Sequence, residues 1–243
     1  MIVAVSRANS VFAAETLEYH VGCGMKTLLL IPAFNEAPTL PRLIQSARDY
    51  IPDILVIDDG SLDATASVAE GAGAMVQRLS TNVGKGEAMK RGFEYATGHA
   101  YDYVLTMDGD GQHAPADIQN FIPMLGEYDL ILGMRMLSGP NVPRLRRMAN
   151  MISTGIVSLV SGQRIYDSQT GFRAYRVEML RHLALRSKRY DLESEVIIKA
   201  ARKGFRVGHV PIQTIYAGEV SRFKNVIDSV RFLKVVFKSF FWR

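Results

Sequence analysis

YDYVLTMDGDGQHAP, residues 101–115, is the stretch from which the chain can be read outward. Residues 101–107 form a short apolar run of alternating β-formers, the pattern of a buried strand. The run stops on Asp108-Gly109-Asp110-Gly111-Gln112-His113. Two carboxylates two residues apart at the C-terminal end of a strand can point at one hard cation. Oxygen ligands suit Mg2+ or Mn2+, and such an ion usually also takes substrate phosphates. The glycines allow a tight turn and close approach to a ligand. Open α/β sheets bind ligands at the carboxyl ends of their strands. The stretch therefore points to a divalent cation held between this turn and a diphosphate. A D-x-D triplet alone is weak evidence in a chain with 24 acidic residues, so its neighbours decide.

Upstream, TLLLI at 27–31 is a continuous apolar strand, as in a parallel sheet buried on both faces. It ends in Pro32-Ala33-Phe34-Asn35-Glu36, and a helix follows with Leu40, Leu43, Ile44 and Ala47 on one face. Residues 54–57 form a second strand ending at Asp58-Asp59-Gly60-Ser61, with Ser61 placed to cap a helix starting near Asp63. Residues 74–79 give a third strand. Asn82-Val83-Gly84-Lys85-Gly86 then opens a helix carrying Ala88, Met89, Phe93 and Ala96. Downstream, 117–125 reads as a helix and 130–133 as a fifth strand. This alternation predicts a Rossmann-like, doubly wound, mostly parallel α/β sheet. Glu36, Asp58, Asp59, Asp108 and Asp110 all fall at strand ends, and three acidic loops on one sheet edge would share a crevice.

Position and composition exclude several classes. The site after strand one lacks G-x-G-x-x-G, which argues against a nicotinamide enzyme, and Gly84-Lys85-Gly86 lacks the spacing of a P-loop. Lys85 is placed to meet a phosphate or an acid, or else to be solvated. No glycine-rich triphosphate loop follows strand one, so a nucleotidyltransferase is disfavoured. With 243 residues the chain can hold one large domain. A net charge of +5 suggests an anionic partner, but the basic–aromatic patterning of RNA binders is absent, so no nucleic-acid partner is expected. The lone Cys23 fits a reducing compartment. No apolar run reaches the roughly 18 residues needed to span a bilayer. Residues 1–24 have no clear period and read as a loose tail, with Met25 standing directly before the first strand.

IPAFNE, DDGSLDAT, NVGKGEA and MDGDGQHAP together resemble, in order and approximate spacing, the family 2 glycosyltransferases with the GT-A fold. The resemblance is strongest to the members that make dolichyl- or polyprenyl-phosphate sugars. It covers about residues 26–224, with further matches at Gly133-Met134-Arg135, DSQTGFR at 167–173, Glu195, Val210-Pro211 and residues 216–223. It implies an inverting, metal-dependent transfer of a hexose from a nucleoside-diphosphate sugar to a polyprenyl phosphate, at the cytoplasmic face of a membrane. It also implies roles. Pro32, Phe34, Glu36, Ile57 and Asp59 would contact the nucleoside, with Phe34 standing where the family commonly has tyrosine. Asp108, Gly109 and Asp110 would meet the donor, and Asp108, Asp110 and Gln112 would hold Mg2+ or Mn2+. Arg135, Arg222 and Lys224 would handle phosphates, with Arg135 grouped with Asp108 and Asp110 as catalytic.

The acceptor divides two readings. A lipid phosphate is already an anionic nucleophile and needs positioning more than a base. A sugar hydroxyl would need a carboxylate base, for which Glu193 and Glu195 are candidates unless they pair on their own helix. Two segments favour a lipid: the basic run PRLRR at 143–147 before an apolar stretch at 148–160, and a basic amphipathic helix with a wide apolar face within residues 225–243. The second pattern fits peripheral membrane contact, or else packing against the protein or a dimer partner.

Overall fold

The computed structural model describes residues 24–135, 144–213, 236, 237 and 239. The tail at 1–23, Arg222, Lys224 and most of the C-terminal helix lie outside the described residues. The elements run β1 (Thr27–Ala33), α1 (Leu40–Arg48), β2 (Ile54–Asp58), α2 (Thr65–Gly71), β3 (Met75–Arg78), α3 (Lys85–Gly98), β4 (Tyr103–Thr106), α4 (Ile118–Phe121), β5 (Leu130–Arg135), α5 (Arg144–Ser161), β6 (Arg173–Arg176), α6 (Val177–Arg181), α7 (Asp191–Arg202) and β7 (Val207–Ile212).

One seven-stranded sheet has the order β3-β2-β1-β4-β6-β5-β7. Strand β6 runs antiparallel to both neighbours, while β1, β2, β3 and β4 pair parallel, as do β5 and β7. The continuous apolar run of β1 follows from burial on both faces. Leu28 and Leu30 pack with α3 and α7 residues such as Met89 and Val196, whereas Leu29 and Ile31 pack with Leu40, Leu43 and Ile44 of α1. At 25–30 cal/mol per Å2 of apolar area, these two layers supply most of the driving force for folding.

Two expectations need correction. Ser61 does not cap α2. Its hydroxyl accepts the Asn35 amide at 2.9 Å and its own amide donates to Asp58 Oδ1 at 2.9 Å, so it stitches two strand ends together. Asp63 instead accepts the Thr65 amide at 3.0 Å, and the helix starts at Thr65. The helix read at 117–125 is broken into a 3-10 turn at Pro115–Asp117, the single turn α4 and another 3-10 turn at Ile122–Met124. Pro123 has no amide to donate, which stops an α-helix from continuing there. The alternation legible in the sequence ends at the fifth strand and includes neither β6, whose RAYR is not an apolar run, nor β7.

Beside the sheet's β7 edge, the Tyr166 amide donates to His209 Nε2 at 3.4 Å and the two rings meet edge-on at 4.9 Å. Burial pushes the His209 pKa down to about 4, although Asp167 pulls the other way. The imidazole of the unfolded chain, near 6.5, takes up its proton first. Stability should therefore be full above about pH 6.5 and fall as pH drops towards 4, by at most about 3 kcal/mol and less where water screens the ring. Urea midpoints across this window should slope for the parent and flatten for His209→Gln; parallel slopes would contradict the assignment.

Candidate active site

Parallel pairing sets the carboxyl ends of β1, β2 and β4 side by side. Ala33 is in register with Asp58, and Leu30 with Thr106, so the three acidic loops emerge on one edge. They are tied to one another. The Glu36 amide donates to Thr65 Oγ1 at 2.9 Å, the Thr39 hydroxyl donates to the Gly109 carbonyl at 2.6 Å, and Gly109 packs against the Glu36 side chain. Glu36, Ile57 and Asp59 are buried and Phe34 is half-buried beside them.

Asp59 is a clamp. Its two oxygens accept the amides of Val83 and Gly84, both at 2.8 Å, which fixes the loop that opens α3. Burial pushes its carboxyl above the usual range and these amides counter it. Gly84, at φ 104°, adopts a conformation that an L side chain resists, and it delivers Lys85 at the first position of α3.

Lys85 is buried rather than solvated. Its Nζ lies 2.6 Å from Asp108 Oδ1 and 3.0 Å from Glu193 Oε1. Burial alone would depress the ammonium, but the two carboxylates hold it well above the ordinary lysine range. Burial would likewise raise Asp108, yet Lys85 and His113, with Nε2 3.8 Å from Oδ2, hold it well below the usual carboxylate range. Asp110 is the opposite case: burial, and then the charge of Asp108, push its carboxyl up, relieved in part by the Gln112 amide at 3.0 Å. The charge of Asp108 thus falls on Asp110 across the same turn, as between any two acids that share a site. His113 Nδ1 is buried with no hydrogen-bond partner. Among the described residues no group of three or more His, Cys, Asp or Glu is arranged as a complete metal cage. Two carboxylates on one turn are the kind of donor set that Mg2+ takes together with substrate phosphates.

The segment after α5 forms the opposite wall, through residues that motif reading did not pick out individually. Gly171 faces Asp108 so closely that a Cβ would lie 2.3 Å from Oδ2. Arg173 is fully buried and donates to the carbonyls of Thr170 (2.7 Å), Glu193 (2.8 Å) and Ser168 (2.9 Å), joining this segment to α7. Arg135 pairs bidentately with Asp167, Nε to Oδ2 at 2.7 Å and Nη2 to Oδ1 at 3.1 Å. Burial would raise Asp167, but this guanidinium brings it below the usual range. Glu195 is fully buried, accepts the amides of Arg186 and Ser187, and pairs with Lys199. Both candidate bases, Glu193 and Glu195, are thus engaged in ion pairs.

The model of glycosyl transferase family 2 matches residues 29–184, which spans all three acidic loops and the Gly171 wall. The chain belongs to glycosyl transferase family 2. This glycosyltransferase is 32% identical over 201 residues to the undecaprenyl-phosphate mannosyltransferase of Micrococcus luteus, covering 77% of this chain and 83% of the relative. It is 31% identical over 202 residues to the polyprenol monophosphomannose synthase of Mycolicibacterium smegmatis, covering 77% and 76%. In fold it matches glucosyl-3-phosphoglycerate synthase from Mycobacterium tuberculosis, crystallised with Mn2+, UDP and phosphoglyceric acid, at a TM-score of 0.70, 18% identity and coverage of 90% and 78%. The enzyme has the GT-A architecture that the motifs implied.

The Gly171 contact yields a direct expectation. Gly171 has a backbone φ that other residues adopt, so the cost of Gly171→Ala lies in the clash. Asp108 must turn away, and a shift of about an ångström at the expected donor-binding turn can cost 100-fold in rate. Turnover should fall at least about tenfold with an unchanged circular dichroism spectrum. Unchanged turnover would show that Asp108 need not hold this position.

Proposed function

We propose that this glycosyltransferase moves a hexose from a nucleoside-diphosphate sugar to a polyprenyl phosphate, with inversion and with Mg2+ or Mn2+, at the cytoplasmic face of a membrane. The observation that carries the metal reading is the Asp108–Asp110 turn, where two carboxylates share one strand end and Asp108 already holds a cation, the Lys85 ammonium, at 2.6 Å. The solved structural match with Mn2+ and UDP supports it, and the named relatives support a lipid-phosphate acceptor. The divalent ion would be held by Asp108 and Asp110, with Gln112 as a further ligand, and would neutralise charge as the diphosphate leaves. Pro32, Phe34, Glu36, Ile57 and Asp59 line the nucleoside end. Asp59 acts there partly through the Val83–Gly84 loop. Arg135, held by Asp167, is the described member of the phosphate-handling set that includes Arg222 and Lys224.

The engagement of Glu193 with Lys85, and of Glu195 with Lys199 and two amides, favours an acceptor that brings its own negative charge. A hydroxyl acceptor would need one of these carboxylates to leave its partner before taking a proton. The test is turnover of a nucleotide-sugar panel with Mn2+ and either a short polyprenyl phosphate or a saccharide. Glycosyl-phosphate lipid as the main product is expected; transfer to the saccharide alone would overturn the acceptor reading.

Helix α5 supports peripheral membrane contact. Met148, Met151, Ile152 and Leu159 recur at helical spacing on its outer face and are 58–83% exposed, just after the basic run that ends at Arg147. Buried apolar side chains contribute about 1.5–3 kcal/mol each, and a basic residue near anionic headgroups about 1 kcal/mol. No helix among the described residues is long and apolar enough to cross a membrane. In the C-terminal segment Val236 packs on the core and Ser239 is buried, whereas Phe237 faces out. Replacing Met151, Ile152 and Leu159 together with Ser should lower flotation with anionic vesicles at least about tenfold without changing donor affinity. Equal flotation would move the contact away from α5.

A further inference from the structure

We propose that Lys85 is a resident counter-cation that competes with the divalent ion for Asp108, so that the metal enters as the lysine gives up Asp108 and keeps Glu193. The proposal rests on the metal reading of the Asp108–Asp110 turn.

The lysine is built into place at both ends. Its backbone is fixed by the Asp59 clamp on Val83 and Gly84. The next residue, Gly86, packs so tightly on the 188–189 backbone that a Cβ would lie 2.5 Å from the Arg189 carbonyl oxygen. The Glu87 amide adds a hydrogen bond to the Lys188 carbonyl at 2.9 Å. The helix start therefore cannot drift, and movement is confined to the flexible four-carbon stem. Its ammonium meets one carboxylate that belongs to the proposed metal turn and one that does not.

The backbone of Glu193 is positioned independently of Lys85. It lies in the first turn of α7, and its carbonyl accepts a bond from the buried Arg173. It is therefore a fixed second anchor to which Lys85 can withdraw without leaving the site. The charges suit such an arrangement. Asp108 and Glu193 set two carboxylates against one ammonium, Asp110 adds a third acid on the turn of Asp108, and the His113 ring lies 3.8 Å from Asp108 Oδ2, so the balance at the turn stays negative. Before the ion arrives, Lys85 keeps Asp108 from repelling Asp110 and holds it in line. Once the ion is present, an ammonium 2.6 Å from its ligand oxygen would repel it strongly in this buried setting.

The test uses Mn2+ alone, without nucleotide, with free ion counted by electron paramagnetic resonance. Lys85→Met should bind Mn2+ at least about tenfold more tightly than the parent, since it removes a like charge from beside the ligand. Its melting temperature should also rise more on adding Mn2+ than that of the parent. Equal or weaker binding by folded Lys85→Met overturns the proposal. Should that variant fail to fold, Glu193→Gln decides. With its second anchor gone, Lys85 holds Asp108 alone, so Mn2+ binding should weaken more than in Glu87→Gln, which removes the same charge from α3 at a glutamate paired with Lys90. Equal weakening in the two overturns it. Absence of Mn2+ binding in every variant, with and without UDP, instead overturns the metal reading on which the proposal rests.

Discussion

Asp110→Ala should reduce metal-dependent sugar transfer at least about a hundredfold while leaving the fold intact or slightly more stable in the absence of metal. The two halves of this expectation share one cause. Burial, then the neighbouring charge of Asp108, push the Asp110 carboxyl above the usual range, so ionised Asp110 is a cost to the folded protein at neutral pH. Its one described hydrogen bond is to the Gln112 amide, which a water can replace at this partly exposed turn. Removing the carboxylate relieves the repulsion and deletes the oxygen ligand proposed for the divalent ion. The checks are kcat with saturating Mn2+ and the urea midpoint in EDTA. A variant with parent-like turnover would show that the ion is held elsewhere. A variant destabilised by several kcal/mol would make Asp110 a structural residue.

Arg173→Met should produce the largest loss of stability, about 2–4 kcal/mol. The guanidinium is completely buried and binds three backbone carbonyls, those of Ser168, Thr170 and Glu193. Methionine matches much of the volume, and no cation then needs to be kept out of water, which offsets part of the cost. Against this, carbonyls in the interior lose their donors, at about 1–3 kcal/mol each. The effects should reach the active site, because the same carbonyls place Gly171 against Asp108 and Glu193 against Lys85. Lys cannot reproduce a planar three-way fork, so Arg173→Lys should recover only part of the stability. A urea midpoint for Arg173→Met within about 0.5 kcal/mol of the parent would contradict the account.

What the sequence could and could not reveal follows from how local each signal is. Strands β1, β2 and β4 are apolar because both faces are covered, so their runs and the acids that end them are visible in one dimension. The parallel sheet then brings Glu36, Asp59 and Asp108 to one edge without further information. The Lys85 partners were not visible, since Glu193 lies 108 residues away and meets Lys85 only through the packing of α3 on α7. Strand β6 was hidden for the opposite reason: its first residue is an arginine that the interior accepts only because three carbonyls surround it. The motif implies a nucleoside contact for Asp59, and its most definite service is to the amides of Val83 and Gly84 in the loop that opens α3, some two dozen residues on. Gly171 stood within the DSQTGFR match, but only the fold shows that a missing Cβ makes room for Asp108.

The central claim is that the Asp108–Asp110 turn joins a divalent ion to a nucleoside diphosphate. It is tested most directly by the melting temperature of the parent protein with UDP or GDP, Mn2+, both together, or both with excess EDTA. Ligand at 100 times its Kd stabilises by about 2.7 kcal/mol, or roughly 5–10 °C for a domain of this size. The account predicts that at least one nucleotide produces such a shift with Mn2+, that EDTA abolishes it, and that Asp110→Ala does not show it. A nucleotide shift of the same size in EDTA, or in Asp110→Ala with Mn2+, would contradict it.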